Sequence, residues 1–424
     1  MSVFEIQRKV ERGSGMKCYF KRVTVALLVL ALLLTMPLLG CAKEVEEKVT
    51  ITIGTITDLT GPAGPALVSL TWALEDLVKH INEEDPIPGV ELRTLAYDCR
   101  MDPARDIPGY DWLRERGAKV IITPLEYTAI VVKPFAKRDQ IPVFSLSASQ
   151  PLVESPGWAF CLNTFARWET LTVLEWVSDH WDYVNDGIPK IGCIAPSVSA
   201  GIECEEAVKD HCQANPDKFE WVGSSLVPMG TVSWASEVAK LKGCDWLGLP
   251  LLDAVSMSTF IEQFRAQGYT AKIFTQEALP AFRGFVVDKV GYEDIDGSLA
   301  AIATGWWNDP YPMVDLLEDL LYRYHADEAE DTIYSGIGYI GGGIQQYFIL
   351  QILRQAIEEV GAKDFDGQAL YDTVTEFKMV IQGFEEWGFS DTKRLCLDHV
   401  KIYEVSAEAE DLVAISDWIP MVED

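Results

Sequence analysis

The sequence predicts an α/β protein made of two doubly wound lobes, each with a largely parallel sheet between layers of helices. Three observations lead to this prediction. Short β-rich runs alternate with longer helical patterns from residue 49 onward, which is typical of βαβ units. The β-rich runs are continuously apolar, as strands are when helices cover both faces of a sheet. The chain has 424 residues, which is more than a single core usually supports.

Composition excludes one broad class of partner. The chain carries 35 basic and 65 acidic side chains, for a formal net charge of −30. A field of this sign repels phosphate backbones, so we expect no nucleic-acid partner. The apolar fraction of 48% and the charged fraction of 24% are typical of a water-soluble protein with a large core.

The first 40 residues have the pattern of an export signal. Lys17, Lys21 and Arg22 precede an almost unbroken apolar run over residues 23–40. A basic segment followed by such a run is typical of a secretory signal, and an uncleaved membrane anchor is the alternative. Leu38-Leu39-Gly40-Cys41 resembles a bacterial lipobox, in which cleavage precedes a cysteine that receives lipid. We therefore expect an extracytoplasmic protein, anchored to the cell membrane through lipidated Cys41, with residues 41–48 as the linker.

The elements of the folded part follow one another in βα order. We expect nine strands, at Val49–Thr57, Val90–Tyr97, Lys119–Thr123, Pro142–Ser147, Lys190–Ala195, Trp221–Val227, Asp245–Leu251, Lys272–Thr275 and Leu299–Thr304. Helices are expected at Ala66–Asn82, Ala129–Arg138, Thr170–His180, Ile202–Gln213, Ser233–Leu241, Val255–Gln267, Tyr311–Tyr324 and Ile344–Glu359. In such sheets, ligands bind beyond the carboxyl ends of the strands.

Several common catalytic and metal-binding patterns are missing from the sequence. The five histidines are far apart and show no metal-ligand spacing, so we expect no metal and interpret them as solvated residues near the ends of helices or strands: His80, His180, His211, His325 and His399. No GxSxG elbow or GxxxxGK[ST] phosphate loop is present. Gly336–Gly341 matches GxGxxG but follows a polar segment, so we interpret its glycines as close helix packing or hinge-side backbone instead of a nucleotide-binding loop, and we expect no cofactor. The acidic segment Asp327–Asp331 is interpreted as a solvated turn, and no disulfide pairing is predicted.

Two strand ends carry polar residues suited to binding an amino-acid-like ligand. Ser145–Ser149 follows one expected strand, and its hydroxyl and backbone N–H groups suit a carboxylate. Gln276-Glu277 follows another, and a carboxylate there suits an ammonium group. A capped turn for the serines and a helix-capping role for Glu277 remain the structural alternatives.

A series of segments resembles the extracytoplasmic solute-binding proteins of branched-chain amino acid ABC transporters, and their order along the chain is the main evidence. The segments are Ile53–Pro62 with its LTGP loop, Tyr97-Asp98 with Asp102-Pro103, Gly117–Thr123, Ile141–Ser145, Phe264–Gly268, Gly305-Trp306-Trp307 and Gly338-Tyr339. The resemblance implies a type I periplasmic binding protein, with two lobes joined by three hinge crossovers and a membrane permease as partner. We expect residues 49–165 and 300–376 to form lobe 1, and residues 166–299 and 377–424 to form lobe 2.

The same resemblance implies a set of ligand-binding residues. The turns Glu126-Tyr127-Thr128 and Ser147-Ala148-Ser149 would hold the ligand carboxylate, and Glu277 would hold its amino group. The chain departs from the family where aromatic residues usually surround the ligand, because it has Ala66, Ala200 and Asp253 there. A second acid near Glu277 would share a proton with it or favour a cationic ligand. Trp168 is the expected aromatic contact, and Tyr127, Trp306 and Trp307 are further candidates.

These expectations define one main function and two alternatives. The main function is non-enzymatic capture of a small amino-acid-like ligand between the lobes and its delivery to an ABC transporter permease. The first alternative keeps the fold but binds another solute, such as an amide, a peptide-like compound or an aromatic acid. The second is an anchored α/β hydrolase that uses Asp253 and Glu277 as an acid–base pair.

Overall fold

Two mainly parallel β-sheets organise the computed structural model, which describes residues 48–154, 156–383 and 385–423. The first sheet has the order β2-β1-β3-β4-β5 and is parallel throughout. Its strands are β1 (Val49–Thr57), β2 (Val90–Asp98), β3 (Ala118–Thr123), β4 (Val143–Ser145) and β5 (Ala159–Cys161). Its helices are α1 (Gly64–Glu84), α2 (Asp106–Glu115), α3 (Glu126–Asp139) and α4 (Gln150–Val153). From β1 the chain adds β2 on one side and then β3, β4 and β5 on the other. The carboxyl ends of β1 and β3 therefore flank a topological switch point.

The second sheet repeats the βα pattern in the next part of the chain. Its parallel strands are β6 (Lys190–Pro196), β7 (Glu220–Val227), β8 (Trp246–Gly248), β9 (Lys272–Thr275) and β10 (Leu299–Ile302). The connecting helices are α5 (Ala166–Asp179), α6 (Ser199–Ala214), α7 (Ala235–Leu241), α8 (Ala254–Ala266), α9 (Ala278–Ala281) and α10 (Arg283–Val290). The expected α/β architecture with two doubly wound lobes is confirmed.

The chain then returns to the first sheet and ends on the second. The returning helices are α11 (Pro312–Tyr324), α12 (Ala329–Ser335), α13 (Gly338–Val360) and α14 (Gly367–Glu376), followed by the hairpin β11 (Lys378–Ile381) and β12 (Glu385–Gly388). The last strands, β13 (His399–Ser406), β14 (Asp411–Ala414) and β15 (Ile419–Pro420), extend the second sheet from β10 in antiparallel pairing. The chain therefore crosses between the sheets three times.

Two of these crossovers differ in position from the expected lobe boundaries. The expected boundary between residues 299 and 300 falls inside β10, because Leu299–Ile302 pairs with both β9 and β13. Residues after 377 also remain on the first sheet for a further stretch. Phe389 packs against Phe144 and Phe160, and Leu395 forms a parallel bridge to Cys161 at the end of β5. The third crossover thus lies just before His399.

The glycines at the start of α13 allow it to lie very close to α1. A Cβ atom added to Gly338 would be 2.5 Å from the Ala66 carbonyl oxygen, and one added to Gly342 would be 2.5 Å from Leu70. Any larger side chain would push the helices apart. Gly338 of the GxGxxG segment therefore permits close helix packing, one of the two interpretations given for these glycines.

Other interpretations need adjustment. The acidic segment begins as a turn, but α12 begins at Ala329, so Glu330 and Asp331 lie in its first helical turn. Of the five histidines only His180 is exposed, while His211 contacts Glu175 at 2.5 Å and His325 stacks on Trp72. The seven cysteines between residues 99 and 396 are buried and form no disulfide with one another. Within the described part of the chain, no helix has the combination of length and hydropathy needed to cross a bilayer.

Candidate functional site

The candidate site is a cavity of about 390 Å³ where the carboxyl ends of the two sets of strands face each other. Each of its lining residues lies at or after the end of one of the strands β2 to β9. From the first sheet and the segment after β5 these are Met101, Leu125, Glu126, Tyr127, Ser147, Ala148, Asn163, Thr164, Ala166 and Glu169. From the second sheet they are Pro196, Val198, Ala200, Met229, Leu251, Gln276 and Glu277. The βα topology thus brings residues far apart in sequence to one crevice.

Glu277 is held in this cavity by two hydrogen bonds. One of its carboxylate oxygens accepts a hydrogen bond from the Asn163 side-chain amide at 3.0 Å, and the other accepts one from the Ala303 backbone N–H at 3.3 Å. Burial raises the pKa of Glu277, although both hydrogen bonds favour the charged form. The carboxylate is therefore fixed in orientation and poorly solvated, so an ammonium group in the cavity would be a strong partner for it.

Glu169 is a second acid at the same wall, and the sequence analysis missed it. It lies in the first turn of α5, is 3% exposed and makes no side-chain hydrogen bond to any residue that the structure describes. Burial raises the pKa of Glu169 well above its ordinary value, and the charge of Glu277 raises it further. Predicting the strand β5 would have placed Glu169 shortly after a strand end and so near the cavity. That strand is only three residues long and was not predicted.

Glu126 places a third acid on the opposite wall, at the start of α3. Burial raises the pKa of Glu126 as well, with a smaller contribution from the charge of Glu203. The Ser147 hydroxyl lies 3.4 Å from the Glu126 carboxylate but donates its proton over a shorter distance, 2.8 Å, to the Pro124 carbonyl oxygen. Among the residues lining the cavity, none is Lys, Arg or His. The cavity therefore has a strongly acidic character between largely apolar walls.

The structure brings together five of the nine predicted ligand-binding residues. Glu126, Tyr127, Ser147, Ala148 and Glu277 all line the cavity, as does Ala200 among the expected departures from the family. Their role in binding stays a prediction. The arrangement shows that residues predicted from strand ends, Ser147, Ala148 and Glu277, and residues predicted from the resemblance, Glu126 and Tyr127, lie around one cavity.

The other four lie outside the lining, and two of them have clear structural roles. The Thr128 hydroxyl donates to the buried Asp106 carboxylate at 3.0 Å, and burial raises the pKa of that acid to about 6. The Asp253 carboxylate caps α8 by accepting from the Val255 and Ser256 N–H groups.

Ser149 directly precedes α4, and Trp168 packs edge-to-face on Phe165. Trp306 and Trp307 are also buried away from the cavity, and Ala66 lines a different, smaller cavity.

The second acid beside Glu277 is therefore Glu169 instead of the expected Asp253. Asp253 also accepts hydrogen bonds from the Ser256 hydroxyl at 2.6 Å and the Gly230 N–H at 2.9 Å. These four hydrogen bonds hold the Asp253 carboxylate at the start of α8 and the turn after β7, and Asp253 is not among the residues that line the cavity. The geometry does not favour an acid–base pair of Asp253 and Glu277. Within the described residues, no cluster of three or more potential metal ligands is present.

Comparisons with known proteins agree with this geometry. A family model described as periplasmic binding protein matches residues 50–409. A branched-chain amino acid ABC transporter protein from Thermus thermophilus, solved with bound valine, has a TM-score of 0.76 and 15% sequence identity, with 88% of this chain and 97% of that chain covered. A fatty acid ABC transporter substrate-binding protein from Thermomonospora curvata has a TM-score of 0.73 and 15% identity, with 88% and 92% covered.

A third solved structure has a different kind of ligand. It is an ABC transporter solute-binding protein from Rhodopseudomonas palustris in complex with 3,4-dihydroxybenzoic acid, with a TM-score of 0.70, 16% identity and coverage of 88% of this chain and 98% of that chain. Comparison with curated proteins gave no match. At these identities the structural likeness shows the fold, and the chemistry of the lining must indicate the ligand.

Proposed function

We propose, from the premise that the chain belongs to the periplasmic binding protein family, that it captures a small amino-acid-like ligand between its two lobes and delivers it to the membrane permease of an ABC transporter. Family membership implies an extracytoplasmic location and a role in binding. The observation that carries the proposal is the cavity itself, because residues after β2 to β5 and residues after β6 to β9 line it together. A ligand in it contacts both lobes at once.

The mechanism follows from this shared cavity. A ligand shifts the balance between open and closed forms only through contacts that are stronger in the closed form. Glu277 would bind the ligand amino group through a charge-assisted hydrogen bond, while Tyr127, Ser147 and Ala148 would contact it from the first lobe. Micromolar affinity corresponds to about −8 kcal/mol, which one buried charge pair and a small apolar contact area supply after the cost of ordering.

The remaining predicted residues would act by supporting the cavity walls. Thr128 and Ser149 belong to the two turns that carry Tyr127 and Ala148, and Asp253 fixes the start of α8. Trp168 is adjacent to Glu169 on α5. We assign residues 49–165 with 303–395 to lobe 1, and residues 166–302 with 399–424 to lobe 2, since the sheet pairings and the Phe389 contacts support those limits.

The anchoring of the protein is part of the proposal. Residues 1–40, the linker 41–48 and Cys41 lie almost entirely outside the described residues, and the support comes from the lipobox sequence alone. We expect Cys41→Ser to move the protein from the membrane fraction to the soluble fraction, because the lipid would no longer be attached. Retention of the Cys41→Ser protein in the membrane fraction would favour an uncleaved anchor helix.

A thermal-shift screen of the full chain in detergent tests the binding function. Amino acids, amides, amines and small carboxylates are added one at a time, each at millimolar concentration. A true ligand present at 100 times its Kd stabilises the folded state by about 2.7 kcal/mol, which gives a measurable rise in Tm. Chemical conversion of a compound that raises Tm, followed by mass spectrometry, would contradict the binding function and indicate an enzyme.

A further inference from the structure

The unpartnered acid Glu169 points to a particular chemistry for the ligand. Its side chain lines the cavity, is 97% buried and has no hydrogen-bond donor among the described residues. A buried carboxyl group normally has a hydrogen-bond donor, because an unsatisfied buried polar group has lost its water without gaining a partner. A ligand that donates hydrogen bonds to Glu169 would satisfy this group.

The positions of the three carboxylates show where positively charged donors of a ligand would bind. Glu169 and Glu277 belong to the second lobe, whereas Glu126 stands on the first-lobe wall at the start of α3. No basic side chain is among the lining residues that the structure describes. Arg167, which precedes Trp168 on α5, is instead ion-paired with Glu203 at 3.1 Å. Two facing walls therefore both attract positive charge.

Three side-chain donors on or near the first-lobe wall already have acceptors, whereas the Tyr127 and Thr164 hydroxyls have no hydrogen-bond partner among the described residues. The Ser147 hydroxyl donates to the Pro124 carbonyl oxygen, the Asn163 amide donates to Glu277, and the Thr128 hydroxyl donates to Asp106. A carboxylate placed near Ser147 would also face the Glu126 carboxylate, and like charges at close range disfavour each other. Between the acids, the walls are apolar and suit a hydrocarbon chain: Met101, Leu125, Pro196, Val198, Met229 and Leu251.

We infer that the cavity takes a small aliphatic diamine without a carboxylate group, with one ammonium at Glu126 and the other at Glu169 and Glu277. This inference rests on the capture role in the proposed function and replaces the amino-acid-like ligand with a diamine at the same site. Two positive charges balance two of the three carboxylates. The third is balanced by a proton, consistent with the direction in which burial moves the pKa of Glu169.

Isothermal titration calorimetry of the full chain in detergent tests the inference with 1,4-diaminobutane, 1-aminobutane and leucine. We expect 1,4-diaminobutane to bind about tenfold or more tightly than 1-aminobutane, since only the diamine forms charge pairs on both walls. Leucine should bind more weakly than the diamine, because its carboxylate meets Glu126. Tighter binding of leucine, or no heat with the diamine, overturns the ligand class while leaving the proposed function to the wider thermal-shift screen.

Three variants separate specific binding from general attraction to an acidic protein. Glu169→Gln and Glu126→Gln should each weaken 1,4-diaminobutane about tenfold. The matched control is Glu220→Gln, which removes the same charge at the exposed start of β7, the sheet end opposite the cavity, and should leave the affinity unchanged. Circular dichroism and Tm establish that each variant is folded. Equal affinities in all three folded variants would overturn the inference.

Discussion

Glu277 is the residue whose substitution tests the proposed ligand capture most directly. It is held by Asn163 and the Ala303 N–H in a poorly solvated position, so its partner in a complex would be a cationic nitrogen. We expect Glu277→Gln to weaken an amine-bearing ligand by about 2–5 kcal/mol, because one member of a desolvated charge pair is lost. Calorimetric titration measures the change.

Glu262→Gln is a suitable control for this substitution, because Glu262 forms a surface ion pair with Lys289 at 2.7 Å. Such pairs contribute about 0–1 kcal/mol to stability, and this pair does not line the cavity. An affinity unchanged in Glu277→Gln would show that this carboxylate only supports the turn before α9.

Glu169 should make the stability of the empty protein depend on pH. The folded-state pKa of Glu169 is raised above its ordinary value of 4.5, so the folded state holds this proton more tightly than the unfolded state. Stability from this group is full at low pH and is lost as pH rises from 4.5 through the folded-state pKa. We expect Glu169→Gln to raise the Tm by roughly 1–3 °C at pH 7.5, with little effect at pH 4. Scanning calorimetry across this range measures both values, and an equal effect at the two pH values would contradict the assignment.

The sequence predicted part of the cavity lining, including Glu277, but not all of it. Glu277 was predicted from its place after a strand and Asp253 from the family resemblance, and both follow strands of the second sheet. The difference lies in Ser256, three residues after Asp253, because Asp253 uses its carboxylate to cap the helix between them. Glu169 was missed because burial of an acid against an apolar wall is a tertiary property.

The packing of α13 on α1 sets the geometry of the first lobe at the level of elements. Glycine to alanine within a helix usually stabilises by up to about 1 kcal/mol. At Gly338 we expect the opposite, a loss of about 1–3 kcal/mol, because the added Cβ would lie 2.5 Å from the Ala66 carbonyl oxygen, a backbone atom of α1. Urea unfolding of Gly338→Ala measures the change.

Gly243→Ala provides the comparison, since nothing lies within 4 Å of a Cβ atom added there and the residue is exposed. Its free energy of unfolding should stay close to that of the parent. A stabilised Gly338→Ala protein would mean that the two helices separate easily at this point.

Element length explains which parts of the fold could be predicted. All nine expected strands are present, and β1 and β9 have the expected limits. The strand β5 has three residues and the hairpin β11–β12 has short arms, so neither gives a recognisable pattern. The return of residues 377–395 to the first sheet depends on Phe389 packing against Phe160, a contact 229 positions apart that periodicity does not reveal.

The whole molecule offers a surface that closure would bury. Met229 and Val198 both line the cavity from the second lobe, and they are 51% and 48% exposed. Large apolar side chains at a crevice mouth lose contact with water when two lobes come together. The three crossovers between the sheets provide the hinge for such a motion. Met229 and Val198 therefore provide apolar area that would favour a ligand-bound closed form.

Substitution at this mouth distinguishes closure from simple filling of a fixed cavity. We expect Met229→Ser to weaken ligand binding by about 1 kcal/mol, because less apolar area leaves water on closing, while the ligand-free Tm stays the same. Val184→Ser removes an even more exposed apolar side chain, 93% exposed and remote from the cavity lining, and should leave the affinity unchanged. Small-angle scattering should show the radius of gyration of the parent falling on ligand addition, with a smaller fall for Met229→Ser at the same subsaturating ligand concentration. If the radius stays constant at saturation and Met229→Ser binds like the parent, the ligand occupies the crevice without drawing the lobes together.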